Sequence, residues 1–182
     1  MQSKKKKGSD MEIAIIGGGA SGLVAAIAAK NENTSVTIYE KEKRVGRKIL
    51  ATGNGRCNMT NVNATEADYH GCDTAFMRGA INRFWVQETL DFFTELGVLW
   101  KEEEEGKVYP YSDTASSVLD VLRRKVDASG IRTECEFAVK NIRKQNDGFL
   151  IEDGNGNRRV CDRVIIATGG KAGSTLGSDG SG

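Results

Sequence analysis

Gly17-Gly18-Gly19-Ala20-Ser21-Gly22, set between an apolar run and an alanine-rich run, constrains this chain more than any other feature. Residues 12–16, "EIAII", have the composition of a buried parallel strand, and "LVAAIAAK" at 23–30 has that of a helix. A GxGxxG pattern alone is a weak signal. This one follows a strand, opens a helix and is followed by "SVTIYE" at 35–40, which completes a βαβ unit ending in an acid. Gly17 permits the tight turn, Gly19 lets a pyrophosphate approach the backbone, and Gly22 lets the helix lie close to the strand. The helix start then offers free N–H groups and a positive dipole end to phosphate. Glu40, 18 positions after Gly22, is placed to accept hydrogen bonds from a ribose diol and to repel a 2′-phosphate. These residues indicate FAD or NAD, with a ligand-free glycine turn as the bland alternative.

The stretch behind the acid is unusual. A simple NAD-binding unit calls for a short loop and the next helix, but residues 46–61 read "GRKILATGNGRCNMTN". Arg47, Lys48 and Arg56 can neutralise a pyrophosphate, and Gly53 and Gly55 let backbone N–H groups close on a ligand. Asn54, Asn58 and Asn61 supply paired donors and acceptors for ribityl hydroxyls or a flavin edge. A solvated polar loop is the competing reading; its position directly behind Glu40 favours the ligand. Arg56 next to Cys57 invites a redox thiol, but no second cysteine lies nearby, so a packed or cofactor-contacting cysteine is the better reading.

Charge and cysteine usage narrow the function classes. The chain carries +1 overall, but four lysines sit in "MQSKKKKGSD", leaving 22 basic against 24 acidic residues in the body. That balance argues against nucleic-acid binding; the tail, residues 1–10, reads as disordered. Lysines 4–7 followed by an apolar segment imitate a secretory signal, yet the glycine cluster fits one poorly, and no segment approaches membrane-spanning length. Cys57, Cys72, Cys135 and Cys161 show no metal-ligand spacing and read as reduced thiols of a cytoplasmic protein. His70 is the lone histidine, and no metal site is expected.

Further along, 81–98 reads as a helix with Phe84, Trp85, Leu90, Phe93 and Leu96 near helical spacing and its aromatics packed in the core. "KEEEEGKVYPYS" reads as an exposed hairpin or loop. "TASSVLDVLRRKVDASG" shows Val118, Leu119, Leu122 and Val126 on one helical face. Strand-like runs begin at 131, 138 and 148 and span 158–170, with "DGNGN" at 153–157 as a hairpin turn signal. The expected architecture is α/β: a parallel sheet with helices, plus an inserted β-meander.

In order, these blocks ("GGGASG" with Glu40, "VGRKILATGNGRCNMTN", "VYPYSDTASSVLDVL", "IIATGGKAGSTLGSDGSG") resemble the aminoacetone oxidase-like, BaiN-like group of bacterial FAD-dependent oxidoreductases, over about residues 11–182. The resemblance implies a Rossmann-like FAD-binding domain of glutathione-reductase type. By position it implies that Gly17, Gly19, Ala20, Ser21 and Gly22 hold the pyrophosphate and Glu40 the ribose. Lys41, Arg47, Lys48, Gly53, Asn54, Gly55, Arg56, Cys57 and Asn58 would line the FAD. Val139 would give an adenine-side backbone contact, and Ala167, Thr168, Gly169 and Gly170 would pass beside the cofactor. FAD would exchange hydride or electrons with a small molecule, with NAD(P)H as the candidate donor. Family members continue past the "GSDGSG" block, so this chain resembles an N-terminal portion truncated before the substrate-side domain, to be complemented by a C-terminal segment. No catalytic residue is identifiable; His70, Tyr109 and Tyr111 are candidates by residue type alone. A truncated, non-catalytic Rossmann module and an NAD-binding dehydrogenase domain stay open as alternatives.

Overall fold

The computed structural model describes residues 10–71, 74–171, 176 and 180. Most of the basic tail, Cys72 and most of the "GSDGSG" block lie outside the described residues. The chain falls into two compact units, one formed by the chain up to Lys48 and from Arg123 onward, the other by Ile49–Leu122. Within the span 11–182 that the sequence suggests as one domain, residues 49–122 carry a sheet and helices of their own.

In the first unit, β1 (Met11–Ile16), α1 (Ala20–Ala29) and β2 (Thr34–Tyr39) form the βαβ unit read from the sequence. β1 and β2 pair in parallel, with Ile13 opposite Val36 and Ile16 opposite Tyr39. The second unit holds β3 (Thr60–Asn61), α2 (Arg78–Ile81), α3 (Val86–Glu95), β4 (Trp100–Glu102) and β5 (Lys107–Pro110). Its antiparallel sheet has the order β3-β5-β4, so of the two readings of the acidic stretch, hairpin or loop, the structure forms the hairpin between β4 and β5. Helix α4 (Ala115–Ala128) begins in this unit and ends in the first. Its apolar positions Val118, Leu119, Leu122 and Val126 are all buried.

The chain then supplies β6 (Arg132–Glu134), β7 (Val139–Gln145), β8 (Gly148–Asp153), β9 (Arg158–Cys161) and β10 (Arg163–Ile166). β6 and β10 join the parallel sheet in the order β10-β1-β2-β6, while β7-β8-β9 is the meander. Ala14, Ile16 and Tyr39 from the sheet pack with Phe137, Ile151 and Cys161 in one buried cluster, so the meander covers a face of the parallel sheet. The rings of Tyr39 and Phe137 lie 5.0 Å apart. Asp153 makes the meander's turn: its carboxylate accepts from the N–H groups of Asn155 and Asn157 and from the Asn157 amide.

The expected helix 81–98 is interrupted. Trp85 is non-helical (φ −118°, ψ −149°), and the Glu88 carboxylate accepts its N–H at 2.8 Å, so α3 starts afresh at Val86. None of the three aromatics assigned to the core is buried: Phe84 is exposed and Trp85 and Phe93 are half-buried, while Leu90 is the buried residue of this helix.

Candidate functional site

The glycine run joins the ends of three strands. The Gly17 N–H donates to the Tyr39 carbonyl at 2.8 Å, and the Ala167 N–H donates to the Ile16 carbonyl at 2.8 Å, which brings the exits of β1, β2 and β10 together. Gly17 has φ +104°, and a Cβ there would stand 2.6 Å from the Ala167 carbonyl oxygen. A Cβ at Gly22 would run into the Gly17 carbonyl oxygen, so the third glycine is required by helix–strand contact.

Gly18, which the sequence pattern leaves unassigned, is the most tightly held. Its N–H donates to Glu40 Oε2 at 2.6 Å and its carbonyl accepts from the Gly46 N–H at 2.8 Å. A Cβ would lie 2.5 Å from Val45 Cγ1. The Val45 carbonyl is itself held by Arg123 at 2.7 Å. The signal for Gly18 was present in the run of three glycines, but its cause sits on a loop over twenty positions away.

Glu40 is buried, and its Oε1 also accepts from the Glu42 N–H at 2.9 Å. Its backbone is tied to the exit of β6 through the Glu134 carbonyl and the Phe137 N–H. Two hydrogen bonds occupy part of the capacity of a carboxylate, which has roughly four lone-pair sites. Glu40 therefore anchors the glycine turn and retains acceptor capacity for a diol.

Gly19 differs from the others. It caps α1 with φ −76° and ψ −170°, which any residue adopts, and a Cβ there meets nothing within 4 Å. No side chain caps the helix, and its first turn carries no acid. Ala20 and Ser21 are exposed beside it. A bare helix N-terminus with an open approach and a buried carboxylate nearby has the donor set that an adenosine diphosphate requires.

The remaining positions in this unit are more ordinary. Lys41 is exposed, Lys48 is half-buried, and Arg47 pairs with Glu42 at 3.1 Å on the surface. Val139 opens β7 at an irregularity between Val139 and Asn141, and its side chain packs against the core cluster. Ala167 and Thr168 are half-buried, while Gly169 and Gly170 are exposed, the former at φ +77°.

Gly53–Asn58 belongs to the second unit. Gly53, Asn54, Gly55 and Cys57 all have positive φ, from 54° to 85°. A Cβ at Gly53 would meet the Asn58 nitrogen at 2.6 Å. Cys57 is buried, and that burial pushes its thiol up from the ordinary range; it is not an activated thiolate. Arg56 stacks 4.0 Å over the Tyr109 ring and bonds both Asp113 and Glu103 at 2.5 Å. Those two carboxylates hold it firmly protonated. Asn54 and Asn58 are exposed, as are His70 and Tyr111. Among the described residues no group of histidine, cysteine and carboxylate side chains can hold a metal ion, and no helix is long and apolar enough to cross a membrane.

Known proteins place this arrangement. Residues 11–182 match the model of the HI0933-like protein Rossmann domain. The chain is 46% identical over 172 residues to the 3-dehydro-bile acid delta(4,6)-reductase of Clostridium scindens, covering 93% of this chain and 42% of that protein. It is 30% identical over 164 residues to the ribosomal RNA dihydrouridine synthase of Escherichia coli, covering 90% and 40%. The chain thus spans about two fifths of the length of these relatives. Among solved structures, the 3-ketosteroid-delta4-(5alpha)-dehydrogenase of Rhodococcus jostii superposes with a TM-score of 0.57 at 15% identity, covering 92% of this chain and 48% of that one, a likeness of fold. With the glycine turn, Glu40 and the parallel sheet in place, the chain belongs to the HI0933-like Rossmann domain family.

Proposed function

We propose that this chain is the FAD-binding Rossmann portion of a flavoprotein oxidoreductase that exchanges hydride or electrons with a small molecule. One observation carries the reading: Gly19 is a glycine that neither backbone conformation nor packing requires, at an uncapped helix start. Its missing side chain makes sense as room for a ligand. Ala20, Ser21 and the first turn of α1 bind the pyrophosphate, and Glu40 accepts from the ribose. Residues 53–58 supply hydrogen bonds to the flavin end, while Val139 and 167–170 border the cofactor. Bound FAD supplies the hydride and electron chemistry, with NAD(P)H as the candidate donor. The chain's own residues bind, orient and shield it.

A small-molecule substrate fits the body's charge, 22 basic against 24 acidic residues, better than a nucleic acid does. The relative of 46% identity is named for a bile acid, whereas the one of 30% identity is named for ribosomal RNA. A cytoplasmic setting belongs to the same proposal, supported by the free thiols of Cys57, Cys135 and Cys161. So does completion of the enzyme by sequence matching the rest of the longer relatives.

The test is an absorption spectrum of the purified chain with and without added FAD, followed by identification of nucleotide released on denaturation. Flavin absorbance that co-purifies, or saturable FAD uptake, supports the reading. Release of NAD without flavin reassigns the chain to a dehydrogenase domain, and no uptake of either marks a non-binding module.

A further inference from the structure

Arg56 stands in a loop whose sequence makes it look like a phosphate ligand, yet two of its guanidinium nitrogens, Nε and Nη2, are already engaged by protein carboxylates. Nη2 lies 2.5 Å from both Glu103 and Asp113, Nε bonds Asp113 at 3.0 Å, and one face covers the Tyr109 ring. Lys101 bridges the same two carboxylates at 3.1 and 2.6 Å. Two cations and two carboxylates leave this cluster without net charge, so it offers an anion little attraction.

The loop beside it is strained. Four of the five residues 53–57 occupy the left-handed region, and Asn54 and Cys57 do so with a side chain. Such conformations persist only where the surroundings over-determine them. Local hydrogen bonds supply part of that restraint: the Arg56 N–H donates to the Gly53 carbonyl and the Cys57 N–H to the Thr52 carbonyl. The rest comes from the cluster, because Arg56 ties the middle of the loop to Glu103 in the turn after β4, to Tyr109 in β5 and to the turn at Asp113. Tyr109 also closes on Gly53, where a Cβ would meet Tyr109 Cε1 at 3.1 Å.

We propose that Arg56 is a positioning residue rather than a phosphate ligand: clamped by Glu103 and Asp113 over Tyr109, it holds residues 53–58 in the strained conformation that presents their N–H and asparagine groups to the flavin. This rests on the flavin reading above. Cys57, the residue next to Arg56 on the chain, is buried in the same loop, which gives a reporter of the loop's conformation independent of any cofactor.

The experiment has two arms on the purified 182-residue chain, with Arg56→Gln, Arg56→Lys and Asp113→Asn, each checked by circular dichroism. In the first, Cys57 is alkylated with iodoacetamide and its peptide is quantified by mass spectrometry. Both Arg56 variants are expected to raise the Cys57 rate about tenfold, and Asp113→Asn by less, since Glu103 remains. In the second, FAD and ADP are titrated separately. FAD affinity is expected to fall about tenfold in both Arg56 variants while ADP affinity stays unchanged, because lysine keeps the charge but cannot reproduce the planar, two-carboxylate geometry. An unchanged Cys57 rate overturns the clamp. Equal loss of FAD and ADP affinity in Arg56→Gln, restored by Arg56→Lys, overturns the positioning role in favour of a phosphate contact. Wild-type protein that takes up neither FAD nor ADP overturns the flavin reading itself, and the alkylation arm still decides the clamp.

Discussion

Gly19 and Gly22 are the same residue type three positions apart, and they are glycine for different reasons. A Cβ at Gly22 meets a backbone carbonyl, whereas one at Gly19 meets open space. Gly22→Ala is therefore expected to cost about 1–3 kcal/mol in overpacking, measured by urea denaturation. Gly19→Ser should hold its melting temperature or gain slightly, since serine is a good N-cap, while losing FAD affinity by about tenfold or more, an order-of-magnitude expectation for a crowded phosphate site. A Gly19→Ser protein that binds FAD normally would remove the main support for the cofactor site. The spacing made Gly22 legible, because its contact with the Gly17 carbonyl lies within the βαβ unit, and Gly17 through its own φ of +104°, although a Cβ there would also meet Ala167. Gly18 and Arg56 were not legible in the same way. Gly18 is fixed by Glu40 and Val45, and Arg56 is taken by Glu103 and Asp113, 47 and 57 positions further on. Residue type reports what a side chain can do; only the fold shows which partner reaches it first.

At the scale of elements, the meander was readable because its turn is encoded locally, in the "DGNGN" segment whose Asp153 caps its own loop. The helical region 78–95 was not, since Glu88 captures the Trp85 N–H and restarts the helix inside a continuous apolar pattern. The join between meander and sheet carries its own test. Tyr39, the last residue of β2, stacks against Phe137 on the chain entering β7, and its phenol is pushed up to about 12, first by burial and then by the nearby charge of Glu134. An acidic group whose pKa is raised on folding contributes stability that is fully present below its unfolded value of 10.0 and is lost as pH rises from there through about 12. Tyr39→Phe should retain that stability. Urea midpoints taken at intervals from neutral to about pH 11 should fall more steeply for wild type than for Tyr39→Phe once the pH passes 10.0; parallel curves would show that Tyr39 does not report the join.

Across the whole molecule, the two units respond to acid through different inventories. Asp68, Glu88, Glu103, Glu105 and Asp113, all within 49–122, have pKa values lowered by hydrogen bonds to backbone N–H groups or to Arg56, Lys101 and Lys107. In the first unit, Asp153 is the described carboxylate held low, by the Asn157 amide and the backbone of its turn. A carboxyl group depressed on folding contributes stability that is present above its unfolded value, about 4, and lost as pH falls through the lower folded value. The five in 49–122 are partly exposed, so each contribution is screened and small. Their number matters more, and it is concentrated in the unit that holds the Arg56 clamp, whose sheet has three short strands. The parallel sheet rests instead on a buried apolar cluster that does not titrate in acid. Amide exchange followed by mass spectrometry from neutral pH to about pH 3 should therefore show peptides from 49–114 losing protection before those from β1, β2 and β8. Protection at 52–58 should go with the protonation of Glu103 and Asp113, and added salt, which screens exposed pairs, should move that loss to higher pH. If the sheet peptides open first, the acid-sensitive element lies in the Rossmann unit, and the clamp is too weak to be the restraint that holds the loop.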